Sequence, residues 1–208
     1  MSPEDFRQHG HALVDWLADY MVGLDARPVL STVEPGSVRA ALPAHPPAQG
    51  EPFAAMLADV DRAILPGITH WQHPGWFAFF PANATGPSIL GELLAAGLGA
   101  QGMLWATSPA LTEVESLVMD WLVELLGLPG TWRMDTGPGG GVIQTTASEA
   151  THLALVVARH RAVKAGARAE QLVVYRSSQA HSSVEKGGSV AGFAHQRVVG
   201  TDDSLALD

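Results

Sequence analysis

Two short stretches of the sequence hold residues that could do chemistry. Thr145-Thr146-Ala147-Ser148-Glu149 combines small hydroxyl side chains with the expected start of a helix. The first amides of a helix have no intrahelical carbonyl to bond, and the helix dipole places partial positive charge there. Such a turn is a ready seat for a phosphate. Thr146 and Glu149 also have the spacing of a capping box, which would close the helix end and nothing more. The two readings are compatible, because a cap leaves other amides free. The second stretch is Gln179-Ala180-His181-Ser182-Ser183-Val184-Glu185, where Ser182 and Glu185 repeat the capping-box spacing. That spacing sets His181 at the mouth of a helix, just past the strand candidate Val173-Val174-Tyr175. Ligands of open α/β sheets bind at the carboxyl ends of strands. An imidazole there could stack on an aromatic cofactor or exchange protons near neutral pH. It could equally be a histidine hydrogen-bonded within a turn.

Other combinations are weaker. Gly137-Pro138-Gly139-Gly140-Gly141 precedes the strand candidate Val142 to Gln144, and no lysine follows it in the Walker position. A nucleoside-triphosphate loop is therefore excluded, and a dinucleotide fingerprint would need its glycines between strand and helix. A flexible entry to a buried strand remains the plainer reading of that run. His70 and His73 could share a helical face as metal ligands, but Pro74 and the lack of a nearby third ligand argue against a metal site. No serine lies in a Gly-x-Ser-x-Gly elbow, so a hydrolase triad built from Ser148 and His181 is disfavoured.

The elements that must position these residues are legible in the periodicity. Ser2, Pro3, Glu4 and Asp5 mark a helix start. Behind them Phe6, Leu13, Trp16, Leu17, Tyr20 and Leu24 form an apolar stripe that needs a partner surface within the chain or from another subunit. Pro28 to Gly50 reads as a proline-rich connector with one helical turn near Val38 to Leu42, followed by a helix over 52–64. Pro66 to Pro87 carries Trp71, Trp76, Phe77, Phe79 and Phe80, too aromatic for an ordinary surface loop, so it must cover or line something. Helices are expected over about 87–98 and from Ser108-Pro109 to a stop at Gly127 and Pro129. From there the pattern becomes strand, helix, strand, helix, strand: Val142 to Gln144, a helix from near Ala147, Val173 to Tyr175, a helix from Ser182, and Val198-Val199. That order predicts an α/β fold with a mainly parallel sheet.

Composition narrows the class. The 208 residues carry 12 basic and 21 acidic side chains, a net charge of −9. A pI near 5.4 gives no electrostatic footprint for nucleic acid or an anionic membrane. Hydrophobic residues at 47% suffice for a core. The sequence holds no cysteine, which excludes thiolate ligands within it and fits a reducing compartment. With no long apolar run and with Glu4, Asp5, Asp15 and Asp19 near the start, neither a spanning helix nor a signal peptide is expected, and the reading is cytoplasmic. The sequence stops at Asp208 just after a strand, which predicts the front part of a longer protein.

Five motifs in one order resemble the aromatic-L-amino-acid decarboxylases, the group II pyridoxal-phosphate decarboxylases. They are Thr69-His70-Trp71; Phe77-Ala78-Phe79-Phe80-Pro81; Trp105-Ala106-Thr107-Ser108-Pro109-Ala110 with Thr112-Glu113; Gly139 to Gln144 with Ala147-Ser148-Glu149-Ala150-Thr151; and Gln179 to Glu185. The resemblance implies a fold-type I enzyme, an obligate homodimer whose N-terminal helices wrap the partner, and pyridoxal 5′-phosphate as cofactor. On it, residues 1–85 would be the dimer-wrapping helical segment with the aromatic substrate loop. Residues 86–208 would be the first, incomplete part of the cofactor-binding large domain. It further implies that Ala147 and Ser148 hold the cofactor phosphate, and that His181 stacks on the pyridine ring and delivers a proton after carbon dioxide leaves. Trp71, Phe79, Phe80, Pro81 and Ala82 would pack around the substrate's aromatic side chain, with Gln101 and Met103 reaching the neighbouring subunit's pocket. Phe79 and Ala82 stand where relatives often carry hydroxyls, which favours tryptophan or phenylalanine over a phenol or catechol. Retention of His181 favours decarboxylation over aldehyde formation; the alternatives are an aldehyde synthase, a group II relative acting on another amino acid such as histidine, or an inactive truncated dimerisation module. Lys164 and Lys186 are in no matching motif, so the Schiff-base lysine and the pyridine-nitrogen aspartate are expected beyond residue 208. These residues alone are not expected to catalyse.

Overall fold

The computed structural model describes residues 1–80 and 84–206, and the chain divides into two compact units, Met1–Leu98 and Gly99–Asp208.

In the first unit, helix α1 spans Pro3–Val22. It opens with a complete capping box: Asp5 N–H donates to Ser2 Oγ at 3.1 Å, and Ser2 N–H donates to Asp5 Oδ2 at 2.7 Å. These bonds to Ser2 hold the Asp5 carboxyl below its ordinary range. One side of α1 is pinned by polar reach. Trp16 Nε1 donates to Asp61 Oδ1 at 3.0 Å, and Tyr20 Oη lies 2.8 Å from His70 Nδ1. The Arg27 guanidinium stands 5.3 Å over the Tyr20 ring. Leu24, Ala63, Leu65 and His70 are buried around this latch. Burial above all, with Arg27 and His73 adding repulsion, lowers the His70 pKa. Farther up the same helix the apolar stripe is open: Phe6, Leu13 and Val14 border a groove of about 1,010 Å³ together with Phe53, Leu90 and Leu93.

The connector holds one short helix, α2 (Ser37–Ala41). The helix expected over 52–64 is α-helical only as α3 (Phe53–Asp59), then widens to a π turn at Val60–Ile64 and tightens to a 3₁₀ turn at Leu65–Gly67. Pro66 explains the stop, since it offers no N–H and its ring obstructs the preceding turn. Helix α4 runs over Gly86–Leu98.

The second unit begins its regular structure with α5 (Pro109–Leu125), capped by Ser108, whose Oγ accepts from Leu111 N–H at 3.4 Å. Helix α6 (Ala147–Lys164) follows, then strand β1 (Val173–Ser177), helix α7 (Ser182–Val190) and strand β2 (His195–Val199). β1 and β2 pair in parallel, Val173 opposite His195 and Ser177 opposite Val199. This is the expected crossover unit of an α/β fold, with α6 packed on α7. The strand expected over Val142 to Gln144 is not formed. Extended backbone becomes a strand only on a ladder, and among the described residues none pairs with it, so Val142 and Ile143 are more than half exposed.

Candidate functional site

The N-termini of α6 and α7 share one cavity. Its volume is about 240 Å³, and its lining includes Ser148, His152, His181, Ser182, Ser183 and Lys186. Two residues singled out in the sequence, Ser148 and His181, thus meet, and Ala147 is the first residue of α6.

Thr146 is the N-cap of α6, its hydroxyl accepting from Glu149 N–H at 3.1 Å. The reciprocal arm of the box is absent, because the Glu149 carboxylate takes the Thr145 hydroxyl instead. The Thr146 hydroxyl therefore serves the N3 amide, while the amides of Ala147 and Ser148 come before the first residue that an intrahelical carbonyl can reach.

At α7 the expected cap is displaced by one residue. His181, not Ser182, is the N-cap: its Nδ1 accepts from Ser183 N–H at 3.2 Å and lies 3.0 Å from Ser183 Oγ. Glu185, expected to complete a box with Ser182, pairs with Arg176 on β1 at 2.6 Å instead. The carboxylate is thus engaged on β1, and the Ser183 amide is taken by the imidazole. A nitrogen that accepts from a backbone N–H carries no proton, so in the neutral ring the proton sits on Nε2.

The glycine run is held rather than flexible. A Cβ at Gly139 would lie 2.5 Å from Trp132 Cα and 2.6 Å from Thr131 O, so only glycine permits this backbone-to-backbone approach. The loop it meets is fixed by α5. The buried Asp120 carboxylate accepts from Met134 N–H at 2.7 Å and Asp135 N–H at 3.2 Å. Arg133 grips Asp135 at 2.8 and 2.5 Å, which pulls the Asp135 carboxyl down to about 2 and raises the guanidinium. Glu115, also on α5, accepts from Ile143 N–H at 2.9 Å.

The aromatic residues form a cluster within the first unit. Trp71 stacks on Trp76 at 4.8 Å and on Phe79 at 6.2 Å, while Trp76 Nε1 donates to Phe79 O at 2.8 Å. Phe80 and Phe77 project fully into solvent. Pro81 and Ala82 lie outside the described residues. Gln101 and Met103 are exposed in the turn before α5, where Thr107 Oγ1 donates to Gln101 O at 2.8 Å, and neither lines the cavity. Among the described residues no group of three or more histidine, aspartate or glutamate side chains could hold a metal ion.

Sequence reasoning missed His152, Lys186, Glu115 and Asp120. The first two were within reach, since His152 follows Ser148 by four and Lys186 follows Ser182 by four, one helical face in each case. The α5 carboxylates had no such signal, because their partners are backbone amides 14, 15 and 28 positions away.

The donor set suits a ligand with a phosphate at one end and a flat ring at the other: helix-start amides and hydroxyls, with an imidazole alongside. Residues 35–207 match the pyridoxal-dependent decarboxylase conserved domain. The chain is 46% identical to a phenylacetaldehyde synthase of Arabidopsis thaliana, over 98% of this chain and 42% of that protein. It is 43% identical to the aromatic-L-amino-acid decarboxylase of Sus scrofa, over 100% of this chain and 45% of that protein. The crystal structure of Oryza sativa TDC with PLP and tryptamine superposes with a TM-score of 0.93 at 37% identity, covering 100% of this chain and 44% of that one. The chain thus spans less than half the length of these relatives.

Proposed function

The chain belongs to the pyridoxal-dependent decarboxylase family, and on that premise we propose that the full-length protein converts an aromatic L-amino acid to its amine and carbon dioxide. The family's cofactor is pyridoxal 5′-phosphate. When bound, its protonated pyridine ring supplies an electron sink for the bond to the departing carboxylate.

The observation that carries the reading is the meeting of Ser148 and His181 at one cavity. The amides of Ala147 and Ser148, with the Ser148 hydroxyl, hold the phosphate by charge-assisted hydrogen bonds. His181 would sit beside the pyridine ring, and its Nε2 would hold the proton to be returned to the substrate carbon; its engaged Nδ1 supports that assignment. Trp71, Phe79 and Phe80, with Pro81 and Ala82, are assigned to the substrate's ring, where stacked aromatic surfaces reward an indole or phenyl group. The lack of a hydroxyl at Phe79 and Ala82 favours tryptophan or phenylalanine. Gln101 and Met103 are assigned to the neighbouring subunit's pocket. The open stripe on α1 supports a homodimer, since an apolar groove of that size in a stable protein calls for a partner. The absence of cysteine in the sequence agrees with a cytoplasmic setting.

The likeness to a phenylacetaldehyde synthase favours one second reading, release of the aldehyde rather than the amine. The test is to load the full-length protein with pyridoxal 5′-phosphate, reduce it with borohydride and map the adduct. The loaded, unreduced protein is then incubated with tryptophan, phenylalanine, tyrosine and dopa. One pyridoxyl group on a lysine beyond residue 208, with amine formed fastest from tryptophan or phenylalanine, is expected. An aldehyde product would move the assignment to the second reading, and no saturable adduct would refute both.

A further inference from the structure

The glycine-rich run and the start of α6 are connected by only five residues, and just three of them, Gln144, Thr145 and Thr146, lie between Ile143 and Ala147. Ile143 is tied to Glu115 by its amide, and at the other end of the run Met134 and Asp135 are tied by their amides to Asp120. Both carboxylates stand on α5, five residues apart. Between these ties Gly139 lies so close to Thr131 and Trp132 that the run cannot shift inward. Gly141 lies against the Met119 side chain, again on α5. The segment is therefore fastened at both ends to a single helix and braced in the middle.

We infer that Glu115 and Asp120 form a two-point clamp that presets the first turn of α6, so that its amides face the phosphate before any ligand arrives. Neither residue lines the cavity, so both act as positioning residues. This rests on the assignment of Ala147 and Ser148 to the cofactor phosphate. The physical reason is preorganisation: amides already held in place lose less freedom when they bind, and the difference appears as affinity. Glu115 is the more informative of the two, because it is half-buried and fixes the residue nearest the helix. Its carboxylate makes one hydrogen bond to a backbone amide, and loss of such a charge-assisted bond corresponds to about tenfold in an equilibrium constant.

The test uses the full-length protein as Glu115→Ala and Glu115→Gln, the latter keeping an acceptor oxygen. Amide hydrogen exchange over residues 134–150 is measured without cofactor, and pyridoxal 5′-phosphate affinity is measured by quenching of tryptophan fluorescence. Glu115→Ala should exchange faster across this segment and bind about tenfold more weakly, while Glu115→Gln restores both to within about twofold of wild type. Faster exchange with unchanged affinity overturns the positioning role, and unchanged exchange overturns the clamp itself. Glu115→Gln behaving like Glu115→Ala overturns it too, since the acceptor would not be what matters. Wild-type protein that binds no cofactor refutes the phosphate assignment, and the positioning role falls with it. The exchange arm then still decides whether the clamp exists.

Discussion

Replacing Gly139 by alanine should cost far more than a methyl group normally does. The added Cβ would sit 2.5 Å from Trp132 Cα and 2.6 Å from both Thr131 O and Trp132 C. Ordinary carbon–carbon contact is about 3.5–4.0 Å, so the two backbones must separate by about 1 Å. No flexible side chain can absorb that movement, because all three opposing atoms are main chain. Overpacking of this kind costs about 1–3 kcal/mol. The displaced loop also carries Met134 and Asp135, whose bonds to buried Asp120 are 2.7 and 3.2 Å long. A shift of about 1 Å weakens at least the longer one, so the upper half of the range is expected, about 2–3 kcal/mol, or about 30- to 150-fold in the unfolding equilibrium. Gly130→Ala is the control in the same loop, since nothing lies within 4 Å of its missing Cβ. It should be neutral or slightly stabilising, by up to about 1 kcal/mol, through the unfolded chain. Urea unfolding of both variants decides the matter. A Gly139→Ala midpoint within error of wild type would refute the close-approach reading and leave the run a flexible entry after all.

Two further outcomes follow from ionisable groups. His70 is buried and its folded pKa is lowered, so folding disfavours its proton. Its contribution to stability is complete above the unfolded value of about 6.5 and is lost as pH falls through the lowered folded value. The urea midpoint should therefore drop between pH 7.5 and 5, and less steeply in His70→Gln; equal slopes in the two proteins would refute the assignment. Asp135, gripped by Arg133, should stay ionised down to about pH 2. Carboxyl carbon NMR should show that titration moving up toward the ordinary aspartate range in Arg133→Gln, and no movement would show that the guanidinium is not its cause.

What the sequence discloses and what it hides divide along a physical line. The starts of α1, α5 and α6 are legible because a hydroxyl cap, and in two cases a proline, announces them within a few residues. The β1–α7–β2 order is legible because apolar runs alternate with a helical stretch. The segment at Val142 to Gln144 has the composition of a strand, but strandhood depends on a neighbour that no local pattern supplies. The cap of α7 falls on His181 rather than Ser182, and Glu185 pairs instead with Arg176, an ion pair across nine positions that no local spacing shows. The capped helix start at Ala147 and Ser148 is legible from its own residues. The α5 carboxylates behind it are not, since their partners are main-chain amides, which every sequence has and none displays.

The capping imidazole of α7 makes position 181 a shared post. One ring nitrogen belongs to the helix and the other to whatever the cavity holds. Asparagine is among the strongest N-caps, as its side-chain oxygen can take the Ser183 amide in place of Nδ1. On the proposed role of His181, His181→Asn would therefore remove the proton donor while leaving the cap of the helix in place. The ring nitrogen that faces the cavity is in this sense separable from the one that keeps the helix.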